Sequence, residues 1–169
     1  METKIEIKSV KGRVLFEYTT EGNTLAKTVE RAIHDEISLH GAYLQGAFLG
    51  GANLGKADLE DADLSYANLQ KVNLYGANLS KANLSYVNLT DTDLWVANLQ
   101  GANLREANLW GTDLRGANLQ EANLCLAHMF GANFYKADLC NAILCGAFLN
   151  DVYLYEADLN NADFKYANL

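Results

Sequence analysis

From residue 37 onward the chain returns to one pattern every fifth residue. Leu recurs at every fifth position from Leu39 to Leu169, broken only by Met129, Phe134 and Phe164, which makes 27 centres without an interruption. Two residues before each centre the side chain is small, mostly Ala, with Val72, Val87, Thr92, Thr112 and Val152 as variants. The residue between them is usually Asn or Asp. A period of five fits neither common element. On an α-helix five residues advance by about 500°, so successive Leu side chains would spread around the whole surface. On a flat strand an odd spacing sends them to opposite faces.

The conflict disappears if the chain turns a corner once per repeat. Leu and the small residue then always face one axis, and the other three positions face solvent. Coils of such a chain stack at about 4.8 Å, the inter-strand spacing. Ala is small because it sits where the wall comes closest to its neighbours. There is no Pro in the sequence, as suits a backbone whose N–H groups donate to a ladder.

The triplets Ala52-Asn53-Leu54 and Ala117-Asn118-Leu119 show the repeated motif in its commonest form. In this the chain resembles the pentapeptide-repeat family. The resemblance covers about four-fifths of the sequence and implies an all-β solenoid, a right-handed quadrilateral β-helix. With four repeats per coil, residues 37–169 make about seven coils, a rod of roughly 33 Å at the inter-strand spacing.

Residues 1–36 follow another pattern. Lys4-Ile5-Glu6-Ile7-Lys8 and Arg13-Val14-Leu15-Phe16-Glu17-Tyr18 alternate as strands do, with Lys11-Gly12 placed to turn between them. Asn23 or Thr24 can then cap a short helix carrying Leu25, Val29, Ala32 and Ile33 on one stripe. A solenoid end exposes core and unpaired edges, so this segment reads as an N-terminal cap of hairpin and helix. The last coil carries Leu159, Phe164 and Leu169. Its open edge leads to the expectation of an end-to-end homodimer.

Residues twenty apart should lie above one another, which sorts the exterior by side. The side starting at Leu39 holds Asp58, Glu60, Asp61, Glu121, Asp138 and Asp158 against Lys81, a net of −5, whereas the side starting at Leu54 is neutral. That neutral side carries Tyr75, Trp95, Arg115, Tyr135 and Tyr155 just after its centres, with Trp110 and Phe130 at the neighbouring corner and Tyr153 nearby. An Arg among rings can make cation–π contacts. The column reads either as a self-satisfied stacking ladder or as a surface for a protein partner, since Trp, Tyr and Arg anchor interfaces. Apolar Ile143, Phe148 and Tyr153, which replace Asn or Asp, can extend it.

Chemistry is sparse. No phosphate-cradling Gly loop, dinucleotide fingerprint or nucleophile elbow is present. His34, His40 and His128 have no evident acid–base partner. The Asp and Asn residues of the repeat read as exposed and solvated. Cys125 and His128 are three apart, but Cys140 lies on another corner and four ligands do not converge, so no zinc site and no cofactor are expected. Asn78, Asn83 and Asn88 fall in glycosylation triplets that arise from the repeat itself. Cys125 and Cys145 stand one coil apart, with a backbone separation that suits a disulfide but side-chain vectors that suit it poorly in stacked strands. Three thiols, an odd number, read as reduced and cytoplasmic.

A net charge of −8 excludes a direct nucleic-acid binder. No apolar run approaches a membrane span, and the charged start has no signal-peptide core. A non-enzymatic protein-binding or scaffolding rod with an unknown partner follows. The family resemblance adds an alternative, mimicry of duplex DNA at a type II topoisomerase such as gyrase through the acidic side. Duplex DNA of about 33 Å carries about 19 charges, far more than the net of −5 here.

Overall fold

A computed structural model describes residues 1–168; the centre at Leu169 lies outside the described residues. Strand β1 (Glu2–Lys8) pairs antiparallel with β2 (Val14–Glu21), and helix α1 (Leu25–His34) follows. The hairpin closes at Gly12, whose φ of 81° only Gly adopts without strain and whose N–H donates to the Ser9 carbonyl. Of the two capping candidates, Thr24 takes the N-cap, its hydroxyl accepting from the Lys27 N–H at 3.2 Å.

The rest of the chain is one coil wound repeatedly. Parallel bridges join each residue before a centre to the residue twenty further on, from Tyr43 with Asp63 to Phe148 with Asn168. A repeat of five and a register of twenty give four sides per coil. The sequence period and this register together define the quadrilateral β-helix.

Each corner is a type II turn. The carbonyl of the centre accepts from the N–H three residues on, as Leu39 does from Ala42 at 2.9 Å. The second residue after the centre is left-handed throughout, from Gly41 at 64° to Tyr166 at 61°. Gly fills nine of these positions. The others carry side chains at a backbone cost that the surrounding ladder holds in place. The ladder is dense: the Leu64 N–H donates to the Asn83 carbonyl at 2.8 Å, the Tyr66 N–H to Ser85 at 3.0 Å and the Asn83 N–H to Ala62 at 2.9 Å.

Inside, Leu piles on Leu. Nearly all centres from Leu39 to Leu149 are fully buried, and Met129 and Phe134 fill the same axis. The wider Thr92 and Thr112 sit at Ala positions because their hydroxyls donate to the Leu69 and Leu89 carbonyls of the coil below, at 2.7 and 2.8 Å. At the front, Ile7, Val29 and Ala32 join the same core. The Tyr43 N–H donates to the Lys8 carbonyl and the Asn53 N–H to the Glu30 carboxylate, which ties hairpin and helix to the first coil. At the far end Leu154, Leu159 and Phe164 are only partly buried.

Candidate partner-binding faces

The twenty-residue register stacks Tyr75, Trp95, Arg115, Tyr135 and Tyr155 along one edge, each just after a centre of the repeat. The rings of Tyr75 and Trp95 meet edge to face at 5.4 Å. From the coil above, the Arg115 guanidinium lies 5.3 Å from the Trp95 ring centre. Arg115 is held there by Asp113, donating from Nε at 2.8 Å and from Nη2 at 2.6 Å. Tyr135 and Tyr155 stack in parallel at 5.9 Å, and Trp110 meets Phe130 edge to face at 5.5 Å on the adjoining corner. The column is therefore three ring groups. Each ring is held by a neighbour in the next coil yet stays open to a partner: Trp95 is 45% exposed, Trp110 56% and Tyr155 64%. Tyr153 is also exposed, and Ile143 and Phe148 stand outward in the same coil.

The acidic side is partly neutralised by its own neighbours. Glu60 pairs with Lys81 at 3.2 Å. Asp58 accepts from the Ser38 hydroxyl and from the Asn78 amide. Asp138 accepts from Gln120 and from the Cys140 N–H. Partial burial pushes the Asp138 carboxyl up, yet those hydrogen bonds outweigh it and hold it below the usual carboxylate range. Glu121 and Asp158 remain exposed.

The cysteines require a correction. The structure joins Cys125 to Cys145, where reduced thiols are expected from sequence, with a Cα–Cα separation of 4.6 Å. Both residues occupy the first turn position at a corner, so the side-chain alternation of a flat strand does not constrain them. The remaining thiol, Cys140, sits between two members of the acidic side. Asp138, Cys140 and Asp158 offer ligand atoms all within 4.8 Å of one another. Hydrogen bonding to Asp138, then burial and Asp158, push the Cys140 thiol up to about 12, which makes it a poor thiolate ligand near neutral pH.

Three further features are absent from the sequence reading. Tyr66 stacks on Tyr86 at 4.8 Å, and the His128 ring stacks on Phe148 at 4.6 Å. Both pairs are twenty apart, so the register that sorted the other sides was the signal for them. The Asn and Asp before each centre are not simply solvated. Most are half-buried and accept from the second N–H further on, as Asn68 does from Gln70 at 3.0 Å. Several also donate a side-chain amide hydrogen bond to the coil below, as Asn98 does to Asn78 at 3.2 Å and Asn118 to Asn98 at 3.3 Å.

A concavity of about 600 Å³ lies where α1 meets the first coil, lined among others by Tyr18, Lys27, Glu30, Arg31, His34 and Asn53. Its charged groups are engaged in the fold: Lys27 donates to the Gly22 carbonyl, Glu30 accepts from Asn53, and Arg31 pairs with Asp35.

A family model for pentapeptide repeats matches residues 30–61, 37–74, 57–95, 97–131 and 132–169, with eight copies of the repeat. The chain belongs to the pentapeptide-repeat family. Solved members share the fold. A pentapeptide repeat protein from the Arabidopsis thaliana thylakoid lumen is 34% identical over 57% of this chain and 68% of its own, with a TM-score of 0.56. QnrB1, a plasmid-mediated fluoroquinolone resistance protein, is 19% identical over 68% of this chain and 58% of its own, with a TM-score of 0.58. HetL, a pentapeptide repeat protein of heterocyst differentiation regulation from a Nostoc cyanobacterium, is 34% identical over 75% of this chain and 72% of its own, with a TM-score of 0.39. No curated protein matches the sequence. Among the described residues, no helix is long and apolar enough to cross a membrane.

Proposed function

We propose that this pentapeptide-repeat protein is a non-enzymatic rod that binds another protein through its aromatic side. The column Tyr75–Trp95–Arg115, continued by Tyr135 and Tyr155, carries the reading. Its rings are fixed by their neighbours, so little rotamer freedom is lost on docking, while their edges stay open. The charged groups of the concavity beside α1 are engaged within the cap, as Arg31 is with Asp35, or in joining it to the rod, as Glu30 does with Asn53, which supports a role without catalysis. Capture experiments with the wild type, Trp95→Ala/Trp110→Ala and Glu60→Gln/Asp61→Asn test it. Partners lost by the aromatic variant and kept by the acidic variant support the reading; partners kept by both overturn it.

A second reading is DNA mimicry at a type II topoisomerase, favoured by acidity that is confined to one side. The pairing of Glu60 with Lys81 weakens that field. Absence of any effect on gyrase supercoiling at micromolar protein removes it. The companion proposal is end-to-end pairing through Leu154, Leu159 and Phe164, which are half-buried where the centres one coil below are covered. A monomeric mass in light scattering at micromolar concentration overturns it. A cytoplasmic location stands on cysteine usage, and the pairing of two of the three thiols removes that support.

A further inference from the structure

Asn-to-Asn side-chain ties between coils are not evenly spread along the rod. Lower down, amide ladders link Asn73 to Asn53, Asn103 to Asn83, and Asn118 through Asn98 to Asn78. Further along, three sides of one coil replace the ladder residue by Ile143, Phe148 and Tyr153, which have no side-chain amide to donate a hydrogen bond to the coil beneath. That same coil carries Cys145, joined to Cys125 across a sequence separation of 20, one full turn of the solenoid. The covalent tie runs beside a backbone bond in which the Leu126 N–H donates to the Cys145 carbonyl at 3.0 Å. We infer that Cys125 and Cys145 form a redox-modification site, a thiol–disulfide staple that sets how firmly the coils beyond residue 145 are held to the rod.

Three observations support it. First, the staple stands where the amide ladders have ended and just before the centres lose their cover, since Leu144 and Leu149 are buried whereas Leu154, Leu159 and Phe164 are not fully so. Second, the two sulfurs differ in access: Cys125 is 7% exposed and Cys145 is half-buried. Exchange with a small disulfide such as oxidised glutathione therefore begins at Cys145. Its thiolate attacks one sulfur of the reagent and releases one small thiolate, which leaves a mixed disulfide. The Cys125 thiolate then attacks the Cys145 sulfur and releases the second. The two protons shed by the cysteines end on the two released thiols, and the reagent takes up the two electrons. Third, Cys140 is five residues from Cys145, yet its contacts with Asp138 and Asp158 keep it protonated, so it does not compete as the attacking thiol.

The test compares one polypeptide in two redox states. Air-equilibrated wild type, alkylated in denaturant, is expected to show one free thiol and a peptide pair linked through Cys125 and Cys145. Reduction is expected to speed chymotrypsin cleavage after Phe148, Tyr153 or Tyr155 on the order of 10–100-fold. Amide exchange within residues 60–100 should stay unchanged, because solenoid coils interact only with their neighbours. The Cys125→Ser/Cys145→Ser variant should match the reduced wild type with or without reductant. Three alkylated thiols in the air-equilibrated protein would overturn the inference, as would equal cleavage rates for the oxidised and reduced wild type.

Discussion

Arg115 lies over the Trp95 ring at 5.3 Å while its guanidinium forks onto Asp113 in its own coil. The ion pair fixes the cation and the ring receives it, so the two contacts support each other. Truncation at Arg115→Ala removes both and is expected to lower the midpoint of chemical denaturation. Arg115→Lys, which keeps the charge but not the fork, should recover only part of it.

The same pair carries a pH dependence. Partial burial pushes the Asp113 carboxyl up, but the hydrogen bonds and charge of Arg115 outweigh it and hold the group below its ordinary value. A carboxyl depressed in the folded state contributes stability above its unfolded pKa, and that contribution fades as pH falls through the folded value. The stability gap between wild type and Arg115→Ala should thus be constant near neutrality and shrink below about pH 4. A gap unchanged down to pH 2.5 would contradict the assignment.

Val96 occupies a left-handed corner at φ 51°, flanked one coil below and above by Gly76 and Gly116. A β-branched side chain is strained there, and Val96 is 45% exposed, so it gains little from packing. Val96→Gly is expected to stabilise the rod by about 1 kcal/mol, seen as a higher melting temperature in calorimetry.

Core truncations should grade along the axis. Leu99 is fully buried with coils on both sides, and Leu99→Ala is expected to cost about 3 kcal/mol. Leu154 is only partly buried, so Leu154→Ala should cost less than half as much in the same denaturation series.

Asn98 accepts from the Gln100 N–H and the Asn118 amide, and donates to Asn78. Replacing it by Ala should cost about 1–2 kcal/mol, against less than about 0.5 kcal/mol for a purely solvated surface residue.

The sequence by itself determined the solenoid. A buried side chain every fifth residue and a small one two before it leave a corner per repeat as the only way to keep Leu39 and every later centre on one axis. The Gly residues at Gly41, Gly76 and Gly116 even mark the left-handed corner position. The aromatic side and the acidic side could be sorted because a twenty-residue register follows once four sides are granted. The tertiary structure decided what those stacked residues do to one another. Whether Tyr66 meets Tyr86, whether Asn98 faces water or Asn78, and whether Cys125 reaches Cys145 depend on the direction a side chain takes as it leaves a turn. A period specifies position along the coil; only the folded corner sets that direction.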